Sequence, residues 1–292
     1  MKAFKKLGIN IEEGYGFIVC KCDKIIGTNI NLDFPSVGAT ENIILASVFC
    51  EGKTVITNAA KEPEIVDLCT MLNKMGAKIN GVGTNRIEIE GVKKLKNISY
   101  RIIPDRIEAG TILCAGAITG GNITVKNIIP EHITSVTSKL EEAGCKIITN
   151  SNSIILQAPK RLKAIELKTM PYPGFPTDMQ SLFGSILCTA KGTSIITETI
   201  FENRFKYMSE LSRMGAKVKI QDKTVIISGT RKMRGANVHS TDLRGGAALV
   251  LAGLKANGKT TVNNIEFILR GYENLDKKLR KIGADIELED IK

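Results

Sequence analysis

Asp178, Arg204, Arg244 and Arg270 are the residues whose types and settings could do chemistry. Asp178 lies in the stretch Phe175-Pro176-Thr177-Asp178-Met179-Gln180. Pro176 cannot continue a preceding strand and restricts the residue before it. Thr177 has the character of a helix N-cap, Gln180 follows at capping-box spacing, and an apolar run at 182–187 comes next. The expectation is a helix opening at Thr177 with Asp178 in its first turn, at the positive end of the dipole. A carboxylate there either complements the dipole or serves as an acid or base beside an anion site. Arg204 in GluAsnArgPhe and Arg270 in LeuArgGlyTyrGlu are each expected at a strand-to-helix junction, and Arg244 in the first turn of another helix. A cation there opposes the dipole and wants an anionic partner. Singly, each arginine reads as a solvated surface charge. Together with Asp178 at equivalent helix starts, they make a site for phosphate and carboxylate groups. Arg161 and Arg231 fall in hairpin or loop contexts, where truncation is expected to be silent.

An internal repeat must position these residues. A helix ending in Gly, followed by a strand, recurs at Gly8, Gly76, Gly144, Gly215 and Gly283, roughly 70 residues apart. Gly52, Gly120, Gly192 and Gly258, each near a β-branched strand, recur at the same period. A glycine that closes a helix does so in the left-handed conformation, which only glycine adopts cheaply. Amphipathic spacing precedes these glycines, as in Ile65, Leu68, Leu72 and Met75, or Tyr272, Leu275, Leu279 and Ile282. Hairpins follow them: 78–80 with 86–90, and 217–220 with 225–228. One unit therefore reads strand, helix, strand, helix, hairpin. First helices are expected near Ser36, Asp105, Thr177 and Thr241, and second helices near Glu62, Glu131, Arg204 and Arg270. Asp105 with Glu108 has capping-box spacing. The expected fold class is α/β (α+β) with repeated βαβαββ units in two domains, 1–104 and 105–292, divided at the turn Ile103-Pro104-Asp105.

Composition narrows the function classes. The 292 residues carry 41 Lys+Arg against 30 Asp+Glu, a net charge of +11. Such an excess points to nucleic acid, a membrane surface or small anionic substrates. Aromatic residues are 5% of the chain, there is no Trp, and no zinc-finger, aromatic RNA-binding or basic-helix pattern is present. A basic nucleic-acid-binding protein therefore rests on charge alone. No apolar run approaches a membrane span, and Glu12 and Glu13 interrupt any signal-like segment after the basic start. Neither GxxxxGK[ST] nor GxGxxG occurs, and two histidines offer no metal cluster, so no metal or cofactor is expected. The seven cysteines are odd in number and scattered, and they read as reduced core residues of a cytoplasmic protein.

Several strings carry a resemblance. They are LeuAspPheProSerValGlyAlaThr (32–40), AlaAlaLysGluProGluIleValAsp (59–67), IleProAspArgIleGluAlaGlyThr (103–111) and ProGlyPheProThrAspMetGln (173–180). ThrIlePheGluAsnArgPhe (199–205), ThrAspLeuArg (241–244) and ArgGlyTyrGlu (270–273) follow in the same order. In these the chain resembles the UDP-N-acetylglucosamine 1-carboxyvinyltransferases, a family of enolpyruvyl transferases. The shikimate-pathway enolpyruvyl transferases share the fold but not these strings. The resemblance implies a two-domain fold of six βαβαββ units, an inside-out α/β barrel, N-terminally incomplete here. Six units of about 69 residues make ~414 residues against 292.

It also implies an activity: transfer of the enolpyruvyl group of phosphoenolpyruvate to the 3-hydroxyl of UDP-N-acetylglucosamine, releasing phosphate, at the first committed step of peptidoglycan synthesis. By the same resemblance Asp178 is the general base at the sugar hydroxyl. Ile200 contacts the nucleotide sugar through its backbone, and Ser36, Val37 and Gly38, with Phe34 and Pro35 before them, form the helix start at the diphosphate. Arg244 and Arg270 hold phosphoenolpyruvate, Arg204 is a third cleft arginine, and Asp105 is an acid at the domain hinge. Two features depart from the family pattern. The family's Lys-Asn pair and its loop bearing the general-acid cysteine would lie N-terminal to this chain, and none of the seven cysteines is assigned that role. The usual His-x-Asp before ArgGlyTyr is here Phe267 and Leu269. The chain alone is therefore expected to be nearly inactive, with a complementary N-terminal segment as its partner. The alternative is a non-catalytic remnant or split-protein half that binds the UDP-sugar or a partner.

Overall fold

The computed structural model describes residues 1–289, which divide into two compact units, the first Met1–Ile103 and the second beginning at Pro104. The first opens with α1 (Lys2–Lys6) and an antiparallel pair, β1 (Asn10–Glu13) and β2 (Ile18–Lys21). One full module follows: β3 (Asn29–Asn31), α2 (Val37–Ser47), β4 (Lys53–Thr57), α3 (Pro63–Met75), β5 (Lys78–Asn80) and β6 (Arg86–Glu90). Its sheet has the order β3-β4-β6-β5, with β3 and β4 parallel and the hairpin antiparallel. Alternation sets the register. Ile87 and Ile89 of β6 face inward opposite Ile56, Thr54 and Ile79, and with Ile43, Ile44, Ile65 and Cys69 they make this unit's core. Ser36 caps α2, its hydroxyl accepting from Ala39 N at 3.3 Å. Gly76 closes α3 at φ 105°, where any side chain would be strained.

In the second unit the module recurs three times. The first copy is α4 (Arg106–Thr119), β7 (Asn122–Lys126), α5 (Thr134–Glu142), β8 (Lys146–Asn150) and β9 (Ser153–Gln157); no opening strand precedes it, and its sheet is β7-β9-β8. The second is β10 (Glu166–Lys168), α6 (Gln180–Leu187), β11 (Thr193–Thr197), α7 (Tyr207–Arg213), β12 (Lys217–Gln221) and β13 (Thr224–Ser228). Its order β10-β11-β13-β12 and its strand directions match those of the first unit's module. The third has β14 (Asn237–His239), α8 (Leu243–Lys255), β15 (Thr261–Asn263), α9 (Glu266–Leu269) and α10 (Leu275–Lys281), and a parallel β14-β15 pair. Among the described residues the strands form five separate sheets. Helices α4, α6 and α8 are buried along most of their length and pack into one core. Gly184 on α6 lets α7 come close, because a Cβ there would lie 2.1 Å from the Tyr207 hydroxyl.

Three local expectations are corrected. Thr177 does not cap a helix: a 3₁₀ turn, Thr177–Met179, precedes α6, Pro176 stands at its N-cap position, and no side chain caps it. The Thr177 hydroxyl is bound to Glu198 instead, and Gln180 is buried in the core rather than reaching back. Arg270 does not open a helix, whereas Arg204 stands between β11 and α7, the strand-to-helix junction expected of it. Arg204 lies in the turn before α7, and Arg270 ends α9, where Gly271 lets the chain pass Leu243 and Asn274 breaks the helix at φ 51°. The cysteines are not all core residues. Cys20 and Cys22 are exposed, while the other five are buried.

Candidate active site

Three of the singled-out side chains meet in the second unit. Asp178 projects from the 3₁₀ turn ahead of α6. Its Oδ1 accepts from Arg204 Nη2 at 2.9 Å, and its Oδ2 accepts from Arg244 Nε at 3.2 Å and Nη2 at 3.0 Å. The side chain of Arg244 is 12% exposed, that of Arg204 20%, and that of Asp178 38%. The guanidinium groups are thus largely withdrawn from water while the carboxylate keeps an open side. Charge-assisted bonds are strong in such a setting.

Each arginine is placed by its own element. Arg244 sits in the first turn of α8, where Asp242 is the N-cap; Asp242 Oδ1 accepts from Arg244 N at 3.0 Å and Gly245 N at 2.9 Å. Arg244 also lies over the Tyr272 ring, 5.2 Å from its centroid. Burial works against the Arg244 charge, but Tyr272 and Asp178 outweigh it and hold its pKa above the ordinary value. Tyr272 is 1% exposed and shares a 2.9 Å hydrogen bond with the Thr111 hydroxyl on α4; burial raises its pKa. Arg204 lies 5.0 Å from the centroid of the Phe201 ring. Behind them Glu198, 1% exposed, accepts from Thr169 Oγ1, Thr177 Oγ1, Ile200 N and Phe201 N. Neither Tyr272 nor Glu198 was singled out as a site residue in the sequence. Tyr272 stands in the ArgGlyTyrGlu string, which was a signal; a glutamate at a strand end gave none.

Among the described residues, none of the other candidates bonds to Asp178, Arg204 or Arg244. Arg270 is exposed and, among the described residues, its side chain has no ion-pair or hydrogen-bond partner. Asp105 caps α4, its Oδ1 accepting from Ile107 N at 2.7 Å and Glu108 N at 3.0 Å. Glu108, its expected capping-box partner, pairs with Lys278 Nζ instead. Ile200 is half-buried with its N–H turned onto Glu198. Phe34, Pro35, Ser36, Val37 and Gly38 form the start of α2 in the first unit, with Phe34 and Gly38 exposed. Arg161 is not a bystander, because its guanidinium donates to the carbonyls of Thr189, Ala190 and Gly229.

The sequence model of the EPSP synthase (3-phosphoshikimate 1-carboxyvinyltransferase) family matches residues 1–279. The chain belongs to this family of enolpyruvyl transferases. It is 53% and 56% identical to UDP-N-acetylglucosamine 1-carboxyvinyltransferases 1 and 2 of Caldanaerobacter subterraneus, each match covering 98% of this chain and 69% of the relative. It is 52% identical to UDP-N-acetylglucosamine 1-carboxyvinyltransferase 1 of Symbiobacterium thermophilum, over 98% of this chain and 65% of that one. Among solved structures, the enolpyruvyl transferase NikO from Streptomyces tendae superposes with a TM-score of 0.89 at 25% identity, covering 98% of this chain and 71% of NikO. The EPSP synthase from Acinetobacter baumannii superposes at 0.72 with 21% identity, a likeness of fold. Among the described residues no helix is long and apolar enough to cross a membrane.

Proposed function

We propose that this enolpyruvyl transferase moves the enolpyruvyl group of phosphoenolpyruvate onto the 3-hydroxyl of UDP-N-acetylglucosamine and releases phosphate, the committing step of peptidoglycan precursor synthesis, in the cytoplasm. One observation carries the reading at the level of chemistry. A half-exposed carboxylate, Asp178, is gripped by two largely buried guanidinium groups in a chain at least half identical to enzymes named for this transfer.

The geometry suggests a division of labour. A carboxylate has about four lone-pair sites. Oδ2 of Asp178 accepts two bonds from Arg244 and Oδ1 accepts one from Arg204, so Oδ1 keeps room for the sugar hydroxyl. In the proposed reaction Oδ1 takes the hydroxyl proton as that oxygen attacks C2 of phosphoenolpyruvate and C3 is protonated. Phosphate then leaves C2 of the tetrahedral adduct as C3 gives up a proton, which restores the C2–C3 double bond in the enol ether. Arg204, Arg244 and Arg270 offer cations to the phosphate and carboxylate of phosphoenolpyruvate. An arriving anion competes with Asp178 for Arg204 and Arg244, which loosens their hold on the base as the second substrate binds. Ile200 has spent its N–H on Glu198, so its carbonyl remains for a donor on the nucleotide sugar. The start of α2 is assigned to the diphosphate, since a helix N-terminus favours negative charge.

The acceptor is tested directly. Phosphate release from phosphoenolpyruvate by the intact protein is measured with UDP-N-acetylglucosamine or with shikimate 3-phosphate. Release with the nucleotide sugar alone is expected. Release driven only by shikimate 3-phosphate would overturn the assigned acceptor.

A further inference from the structure

Internal symmetry isolates a buried acid that the reaction scheme does not use. In three modules the second strand ends in an asparagine with left-handed backbone: Asn58 after β4 (φ 56°), Asn127 after β7 (φ 58°) and Asn264 after β15 (φ 56°). After β11, in the module that bears Asp178, the corresponding residue is Glu198, without that backbone conformation. The exchange reverses the polarity of the joint. Asn58 donates its Nδ2 to the Leu32 carbonyl at 2.8 Å. Thr169 occupies the place of Leu32, since each donates its N–H to the end of the neighbouring strand. The Thr169 carbonyl is taken by the Thr199 hydroxyl at 2.6 Å, which leaves the side chain at 198 free to act as an acceptor.

Glu198 uses that freedom fully. Its Oε1 accepts from Thr169 Oγ1 at 2.8 Å, Ile200 N at 2.8 Å and Phe201 N at 3.2 Å; its Oε2 accepts from Thr177 Oγ1 at 2.8 Å. Four donors and no acceptor are the complement of a carboxylate, which only accepts. The two oxygens tie together the two segments that flank the Asp178–Arg204 pair. Thr177 immediately precedes Asp178, and the Phe201 ring lies against the Arg204 guanidinium. Pro176 supplies no capping side chain to this 3₁₀ turn, so besides the bonds of Asp178 itself the bond from Thr177 to Glu198 anchors the turn.

We propose that Glu198 is a positioning residue for this reaction: it locks Thr177 and the 200–201 turn in one register, and thereby fixes where Asp178 and Arg204 stand relative to the sugar hydroxyl. The other three modules carry an asparagine at this place and no acid, and in the first unit Asn58 makes the joint by itself. This proposal rests on the reading of Asp178 as the base, and the experiment separates the two. Glu198→Ala, Glu198→Gln and Thr177→Val are compared in the intact protein, each alone and in an Asp178→Asn background, with kcat normalised to folded protein. Glu198→Ala is expected to lower kcat by about 10–100-fold with a smaller change in KM, because misplacing a catalytic group acts mainly on the reacting geometry. Glu198→Gln can keep three of the accepted bonds and let the Thr177 hydroxyl rotate, so it recovers most of the loss. Thr177→Val reproduces part of it without removing the acid, and serves if Glu198→Ala does not fold. In the Asp178→Asn background, substitution at 198 or 177 is expected to cost little more, the non-additivity of groups acting through one another. Wild-type kcat in Glu198→Ala, or in Thr177→Val where only that variant folds, overturns the positioning role. So does the same loss with and without Asp178. Full activity of Asp178→Asn itself would instead overturn the base.

Discussion

At the scale of single residues, the two oxygens of Asp178 are unequal, and its partners differ in what their loss would do. Asp178→Asn removes the proposed base while keeping the shape of the side chain. We expect kcat to fall by ~10²–10⁴-fold, with a much smaller change in UDP-N-acetylglucosamine affinity measured by calorimetry. A fall of less than about tenfold would leave Asp178 as a helix-start residue only. Arg244 is withdrawn from water and doubly bonded, so Arg244→Ala should cost ~2–5 kcal/mol in phosphoenolpyruvate handling, and Arg244→Lys should not restore the forked contact. The Arg270 side chain has no ion-pair or hydrogen-bond partner among the described residues. Arg270→Ala is therefore expected to leave the denaturation midpoint unchanged while raising the phosphoenolpyruvate KM. Arg231→Ala, on an exposed loop, is the silent control. Arg161 cannot serve as one, since it braces three carbonyls. Asp178 and Arg244 could be found in the sequence because a charge at a helix start has few uses. Glu198 could not, because its role depends on Thr169, Thr177 and the 200–201 backbone folding over it, a convergence that no local spacing encodes.

At the scale of elements, Arg244 and Asp105 stand at helix starts, and a cap there can be separated from any chemistry. Asp105 accepts from two N–H groups of α4, and asparagine caps as well as aspartate does. Asp105→Ala should lower stability by about 1 kcal/mol in a urea titration, while Asp105→Asn should stay within about 0.5 kcal/mol of wild type. Any loss of substrate affinity in Asp105→Asn then belongs to the charge and not to the helix. A stability loss of equal size in both variants would show that the cap is not what Asp105 provides. The elements were legible wherever one local rule decided them. Gly76, Gly144, Gly215 and Gly283 lie beyond helices in left-handed backbone, and both expected hairpins form. The rule failed where tertiary partners compete for the same group. Thr177 has capping chemistry, but a buried carboxylate claims its hydroxyl. Arg270 follows helical spacing, but Gly271 and Asn274 divide that segment into α9 and α10.

At the scale of the whole molecule, the repeat makes each unit a set of modules around a core of its own, and the cysteines report on those cores. Cys69 lies in the core of the first unit, and Cys114, Cys145 and Cys188 in that of the second. Burial in apolar surroundings disfavours the thiolate. It pushes the pKa of Cys69 up to about 12, Cys145 to about 11 and Cys188 to about 12, and that of Cys114 upward as well. Cys20 and Cys22 are exposed in the first unit. A thiol-reactive dye at pH 8 should therefore label these two in the native protein within minutes, and all seven only after denaturation. The same burial sets an alkaline limit on stability. In the unfolded chain these thiols ionise near the ordinary value of ~8.5, whereas in the folded protein they stay protonated to higher pH. The folded state then binds more protons than the unfolded one between those two values, so stability falls as pH rises through that window. Below pH 8 the contribution is fully present. Above it, each such thiol should remove ~1.4 kcal/mol per pH unit until its folded pKa is reached. Urea midpoints measured from pH 7 to 10.5 should decline. In Cys188→Ala, which removes a thiol that is wholly buried in the second unit, the decline should be shallower by that increment. An identical slope in the variant would mean that the Cys188 thiol is not held protonated by the core.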